Sequence, residues 1–177
     1  MDGDLVFYDG VTQTTVATSG FILPSEYDFR SGQIVYEKDG DIYHVDTTTT
    51  PFTSTQITSD GASVVDENPK TDGKSIVWIQ DDSTVVLYDI ATQTSEVIST
   101  TLDVKDGETL AIDGRQVIWQ ESSDTFFFHD GSGDTSGTQE IVPTLASSVS
   151  EPFFSDGIVA WYGQTGAGTD TEIFMMK

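Results

Sequence analysis

The sequence predicts an all-β fold made of one unit repeated about every 42 residues, and three observations carry that prediction. An apolar strand closing on an aromatic recurs as Ile34-Val35-Tyr36, Ile76-Val77-Trp78, Val117-Ile118-Trp119 and Val159-Ala160-Trp161, with spacings of 42, 41 and 42. A glycine turn precedes each copy, at Ser31-Gly32, Asp72-Gly73, Asp113-Gly114 and Asp156-Gly157, with spacings of 41, 41 and 43. A second strand ends on Asp in Leu5 to Asp9, Ile42 to Asp46, Val85 to Asp89 and Phe126 to Asp130, and Ile173 to Lys177 repeats it with Lys in the last place. Short segments rich in Val, Ile, Thr and aromatics, bounded by Gly, Asp and Ser, are strand signals. No stretch sustains apolar residues at i, i+3, i+4 and i+7, so no substantial helix is expected.

Each unit reads as four strands, A to D. Strand B carries the Tyr or Trp and strand C ends in Asp. Strand D follows over Thr14 to Ala17, Thr55 to Thr58, Ser95 to Ser99 and Gln139 to Val142. Asp-Gly before strand B favours a tight hairpin turn, because Gly accepts positive φ at little cost. The chain opens at a B-to-C turn, since Asp2-Gly3-Asp4 matches Asp39-Gly40-Asp41. The expected order is strands C-D over 4–18, three complete units over about 26–59, 68–100 and 109–143, then A-B-C over 151–177. That makes 17 strands in a single repeat domain covering 1–177. Four strands in about 42 residues is the size of one β-propeller blade. Such a unit has two apolar faces and is stable only when stacked between neighbours. The fold class is therefore an all-β propeller of four-stranded antiparallel blades, with four to five blades in this chain. Three closures are open. A four-bladed ring leaves one C strand over, and a five-bladed ring lacks two inner strands and one outer strand. In the third, the chain is a part of a larger ring of six to eight blades. Tyr36, Trp78, Trp119 and Trp161 are expected to pack between blades rather than to stack on sugars.

Composition narrows the function classes. Thirty acidic residues against seven basic ones give a net charge of -23. Nucleic-acid binding needs cations to displace counterions from phosphate, so no nucleic-acid partner is expected. Anionic membranes are repelled as well, and no apolar run approaches the roughly 20 residues of a membrane helix. The absence of cysteine removes disulfides, thiolate nucleophiles and Cys-ligated metals. The acid is mostly Asp (21 against 9 Glu), Thr and Ser are abundant, and Asn68 is the single Asn. This acidic, hydroxyl-rich, Lys-poor make-up suggests an extracellular, cell-surface or periplasmic setting, or one of high salt. The first residues lack the basic and apolar regions of a signal peptide, so an export signal would lie outside this chain.

The stretches "NPKTDGKSIVWIQDDSTVVLYDIATQTSEVIST", "DGRQVIWQESSDTFFFHDG" and "DGIVAWYGQTGAGTDTEIFMM" resemble TolB-like propeller repeats, with the closest likeness to those of archaeal and bacterial cell-surface proteins. The resemblance spans nearly the whole chain. It implies the propeller fold, and a role as a binding module or as an accessory domain of an enzyme. The Gly-His and Trp-Asp pairs of WD repeats are missing, as is the Asp-box of sialidases.

Candidate chemistry lies at the less regular positions. Glu26, Asn68 and Glu151 occupy equivalent places at the start of strand A. That part of a propeller lines the mouth of the central channel, so the three are expected to converge as a ligand site. Two carboxylates there could also hold a cation or act as an acid/base pair. Asp130, Ser132, Asp134 and Glu140 present oxygens at spacings suited to Ca²⁺. That loop departs from the EF-hand, because Thr135 stands in the glycine position and Glu140 arrives one residue early. His44 and His129 fall on opposite faces of their strands and form no pair. No Gly-x-Ser-x-Gly elbow and no phosphate-binding Gly-Lys-Ser/Thr occurs. The expected function is a non-enzymatic interaction module for a protein or glycan partner, with further repeats or another copy completing the ring. The alternatives are a glycan-active propeller enzyme using carboxylates at the channel mouth, and a Ca²⁺-stabilised segment of an adhesin or surface layer.

Overall fold

The computed structural model describes residues 4–18, 26–59, 63–99, 110–122, 125–133, 135–141, 148–164 and 171–176. Within them, 17 strands form five antiparallel sheets in which each strand pairs with its sequence neighbour. The first sheet holds β1 (Leu5–Tyr8) and β2 (Gln13–Ala17). The second holds β3 (Tyr27–Arg30), β4 (Gln33–Lys38), β5 (Asp41–Asp46) and β6 (Ser54–Gln56). The third holds β7 (Asp66–Thr71), β8 (Ser75–Gln80), β9 (Thr84–Asp89) and β10 (Thr94–Ser99). The fourth holds β11 (Ala111–Asp113), β12 (Gln116–Ser122), β13 (Thr125–His129) and β14 (Thr138–Ile141). The last holds β15 (Ser148–Ser155), β16 (Ile158–Gln164) and β17 (Thr171–Met176). No α-helix occurs among the described residues, where Thr135–Gly137 makes a single 3-10 turn. This is the predicted order of strands C-D, three full blades and A-B-C.

Four apolar cores lie between successive sheets, as a propeller requires. Ile34, Tyr36 and Val45 close on Ala17 of the first sheet. Ile76, Trp78 and Val86 meet Val35 and Ile42 of the blade before. Trp119 and Val117 pack against Val77, Leu87 and Ile98, and Trp161 and Val159 against Ile118 and Phe126. The repeated B-strand aromatic thus faces back onto the preceding sheet in every case, while its flanking residues face forward. The period in the sequence is a packing period. The inner strands β3, β7, β11 and β15 are successive neighbours, which puts strand A at the centre of the array.

Turn chemistry explains the other repeated residues. Ser31-Gly32, Gly114-Arg115 and Asp156-Gly157 are consecutive left-handed pairs, with φ of 53 and 83, 60 and 69, and 53 and 71. Such pairs make two-residue hairpins whose twist matches the flanking strands. Asp72-Gly73 departs from the expected tight turn. Thr71 pairs with Ile76, so four residues, 72–75, lie beyond the last ladder pair instead of two. The Asp72 carboxylate widens and caps this loop by accepting the N–H groups of Lys74 and Ser75 at 2.7 Å each. Gly73 is required twice over: its φ is 91, and a Cβ there would lie 2.6 Å from Ser31 Cβ of the preceding blade. The Asp ending each C strand has a uniform task. Asp9, Asp46, Asp89 and Asp130 accept backbone N–H groups two or three residues ahead, from Thr12, Thr48, Thr92 and Ser132. These bonds, joined at Asp46 by a stronger one from the Thr48 hydroxyl, favour the ionised form and hold all four carboxyls below the usual range.

Strands β7 and β15 begin at Asp66 and Ser148, earlier than the expected 68 and 151. A bulge is the reason. Asn68-Pro69 stands opposite Trp78, and Glu151-Pro152 opposite Trp161, two residues against one. Proline has no N–H to leave unpaired there, which suits it to a bulge.

Polar links then join the blades edge to edge. Asp28 Oδ2 accepts Thr71 N–H at 2.8 Å, Asp72 Oδ2 accepts Arg115 N–H at 3.0 Å, and Asp113 Oδ2 accepts Asp156 N–H at 2.6 Å, each across 43 residues of sequence. Both arginines of the chain bridge blades as well. Arg115 reaches back to Asp89 at 3.1 Å and Glu96 at 2.5 Å. Arg30 reaches past the neighbouring blade to Asp113 at 3.3 Å.

Candidate functional site

Glu26 lies just before the inner strand β3, and Asn68 and Glu151 lie within the inner strands β7 and β15, each beside the B-strand aromatic of its own blade. Glu26 directly precedes Tyr27, which pairs with Tyr36. Asn68 and Glu151 occupy the two bulges. Asn68 has φ 55, a left-handed conformation that Asn tolerates better than most residues, so the chain's single Asn has a backbone task as well. The side chain of Glu151 lies outside the described residues.

Around Glu26 the structure gathers acids that the repeat pattern does not mark. Glu37 stands in β4 one residue after the packing aromatic, where the other blades carry Ile79, Gln120 and Tyr162. It is half-buried, and that burial, with Glu26 and then Asp39 and Asp66 repelling its charge, pushes its carboxyl up to about 6. The Gly40 N–H opposes the shift. Asp66 is fully buried at the head of β7 and accepts Trp78 Nε1–H at 2.9 Å and a Gln80 Nε2–H at 3.1 Å. Asp41 is buried and accepts from Gln56 Nε2 at 3.0 Å. Asp66 N–H also donates to Gly40 O at 3.0 Å, fixing the B-to-C turn of one blade against the inner strand of the next. This end of the molecule is an acidic rim, organised on the junction between the second and third sheets. It would attract cationic side chains and repel anions. A carboxyl titrating near 6 beside a second carboxylate is also what acid/base chemistry uses. Sequence reasoning reached Glu26 through its register. Glu37 and Asp66 have no repeated counterpart, and only their neighbours in space reveal them.

The loop after β13 brings two of its four oxygen-bearing residues together. A Cβ at Gly137 would overlap both Asp130 Oδ1 and Ser132 Oγ, so these side chains fold over that glycine. Asp134 lies outside the described residues. Glu140 stands on β14 opposite Phe127. It is close enough to Glu121 to reinforce the upward shift that burial gives that carboxyl. Among the described residues, no three His, Asp or Glu side chains group as metal ligands.

The histidines lie apart, as their register requires. His44 is half-buried with Nε2 2.6 Å from Gln33 Oε1, and burial lowers its pKa. His129 is fully buried, and its Nδ1 accepts the Gly131 N–H at 3.1 Å.

No family model matches the sequence, and no curated protein matches it significantly. Solved structures share its fold. A chain of the Mitotic Checkpoint Complex is 13% identical with a TM-score of 0.59, over 98% of this chain and 57% of that one. The N-terminal domain of Nup159 is 10% identical with a TM-score of 0.55, over 96% of this chain and 49% of that one. The computationally designed Ika4 protein is 19% identical with a TM-score of 0.53, over 86% of this chain and 91% of that one. This chain therefore spans about half the length of the first two. At these identities the likeness is one of fold alone, and the fold is a β-propeller.

Proposed function

We propose that the chain is a non-enzymatic interaction module of a secreted or cell-surface protein, holding a protein or glycan partner. The observation that carries this reading is the state of its two end sheets. On β1 the outward residues include Tyr8, 64% exposed, and on β17 they are Ile173 and Met175, 77% and 74% exposed. A repeat array that ends in water needs polar outer faces. These outer faces are partly apolar, as the faces of internal blades are, and suit cover by protein: further repeats, another copy, or a partner. Propellers found within larger assemblies, such as the Mitotic Checkpoint Complex, are in keeping with a protein partner. The acidic rim suits a partner that presents Lys or Arg. The TolB-like character of the repeats and the acidic, hydroxyl-rich composition support the cell-surface setting.

The test is sedimentation of the chain over a broad concentration range, joined to a glycan-array screen. Concentration-dependent association is expected, weakened when Ile173→Lys and Met175→Lys are combined and the circular dichroism is unchanged. A chain that stays monomeric throughout and is retained by no glycan would sink the proposal. The glycan-active alternative draws on Glu37 and Glu26. It predicts turnover of aryl glycosides that Glu37→Gln abolishes, and wild-type protein with no turnover removes it.

A further inference from the structure

The fourth and last sheets enclose a cavity of about 370 Å³, lined by Phe128, Gln139, Ile141, Phe154, Gly157 and Val159. The ladder registers align this junction with the one before it, between the third and fourth sheets. Gln139 pairs with Phe128 as Glu96 pairs with Leu87, and Phe154 pairs with Val159 as Ile112 pairs with Val117. Gly157 is the second residue of its two-residue turn, as Arg115 is, with φ 71 against 69. At the earlier junction Arg115 fills the space, its guanidinium donating to Asp89 at 3.1 Å and to Glu96 at 2.5 Å. At the later one Gly157 has no side chain, and a Cβ built there would meet nothing within 4 Å. The cavity is the arginine slot of the array with the arginine left out. Its acceptors largely remain. Asp130 stands in the place of Asp89, with Oδ1 held by a turn N–H in the same way, from Ser132 and Thr92 respectively at 2.9 Å each. Gln139 brings an amide oxygen where Glu96 brings a carboxylate. Phe128 replaces Leu87 and meets Phe154 edge to face, with ring centroids 6.0 Å apart.

We propose that this cavity receives an arginine side chain of a protein partner, with the guanidinium bound by Asp130 and Gln139 and lying on Phe128. Aromatic faces attract cations, and a guanidinium is planar and weakly hydrated enough to stack on one. A lysine ammonium is a compact, strongly hydrated charge and suits the slot less well. The net charge of -23 draws a cationic partner towards it. The proposal rests on the reading of the chain as an interaction module and adds what the partner presents. It uses the inward face of the last sheet, whereas Ile173 and Met175 lie on the outward one. Self-association through that outward face can therefore fail while arginine binding holds, and the reverse.

The probe is Nα-acetylarginine amide, followed by chemical shifts in the full chain at low salt. The citrulline analogue serves as the uncharged isostere and the lysine analogue as the control for charge alone. Wild-type protein is expected to bind the arginine probe about tenfold more tightly than either control, the factor of a charge-assisted hydrogen bond. Gly157→Arg fills the slot from within, as Arg115 does one junction earlier, and should abolish binding without lowering the melting temperature. At the exposed position 139, Gln139→Glu restores the acceptor that Glu96 provides and should tighten binding by about tenfold. Gln139→Lys should abolish it. Thermal melts of both Gln139 variants check that the fold is intact. The proposal is overturned if the arginine probe does not bind the wild type, if either control binds equally well, or if both Gln139 variants leave the affinity unchanged. Tighter binding of the phenylalanine analogue would assign the cavity to an apolar body and overturn it as well.

Discussion

Asp46 and Glu37 lie in adjacent strands and respond to pH in opposite ways. The Asp46 carboxylate accepts the Thr48 N–H and Oγ1–H and a Gln33 Nε2–H, so the fold favours its charge. Glu37 is pushed up to about 6 by burial and by Glu26, so the fold disfavours its charge. An unfolded Glu titrates near 4.3. Below about pH 4 both states are protonated at Glu37 and no penalty exists. The penalty grows between about pH 4 and 6 and is complete above that window. Glu37→Gln is therefore expected to stabilise the protein at pH 7 by about 1 kcal/mol, after allowance for solvent screening of a half-exposed group, and to have little effect at pH 4. Urea unfolding at the two pH values measures this, and an equal difference at both would contradict the crowding of carboxylates. The two residues also show what could be read in advance. The terminal Asp was visible because its task is local and recurs in each unit. The raised carboxyl was not, because its cause is one buried position facing a neighbouring blade.

At the scale of the element, the inner-strand bulge is the feature that departs from a regular ladder. Asn68-Pro69 and Glu151-Pro152 each insert one extra residue opposite a packed Trp. This lets β7 and β15 continue two or three residues beyond the boundaries that the sequence suggests. Asn68 takes φ 55 there. Asn68→Val is expected to cost about 1–2 kcal/mol, because a β-branched side chain resists the left-handed region, while Asn68→Gly should be nearly neutral. Thermal unfolding of the two variants checks it, and equal losses would place the role of Asn68 in its side chain instead. The sequence shows proline in the same register twice, which hints at a shared irregularity. It does not show that the strand resumes on the other side, since that depends on the pairing of Asp66 with Gln80 and of Val149 with Gly163.

For the whole molecule, order comes from contacts at a separation of one repeat. Strand number, strand order and the four cores were legible, because apolar alternation and the aromatic period survive in every unit. The links from Asp28, Asp72 and Asp113 were not: the repeat marks Asp72 and Asp113 as turn residues but not as acceptors for the next blade, and it does not mark Asp28 at all. Nor was the use of both arginines as inter-blade bridges. With a net charge of -23, self-repulsion opposes folding more than the three ion pairs among the described residues support it. The melting temperature is expected to rise with sodium chloride and to level off near 1 M, where the screening length is about 3 Å. A melting temperature that falls with salt would show that the arginine bridges outweigh the repulsion.

The Arg30 to Asp113 bridge bears on how such an array can grow. The other inter-blade polar bonds among the described residues join adjacent sheets, so inserting a copy of one blade leaves each of them between neighbours. Arg30 instead spans from β3 to the end of β11, passing the inner strand between. Copying the segment from β7 to β10 would leave every adjacent junction intact and separate this one pair. A tandem duplication is thus tolerated best after β11.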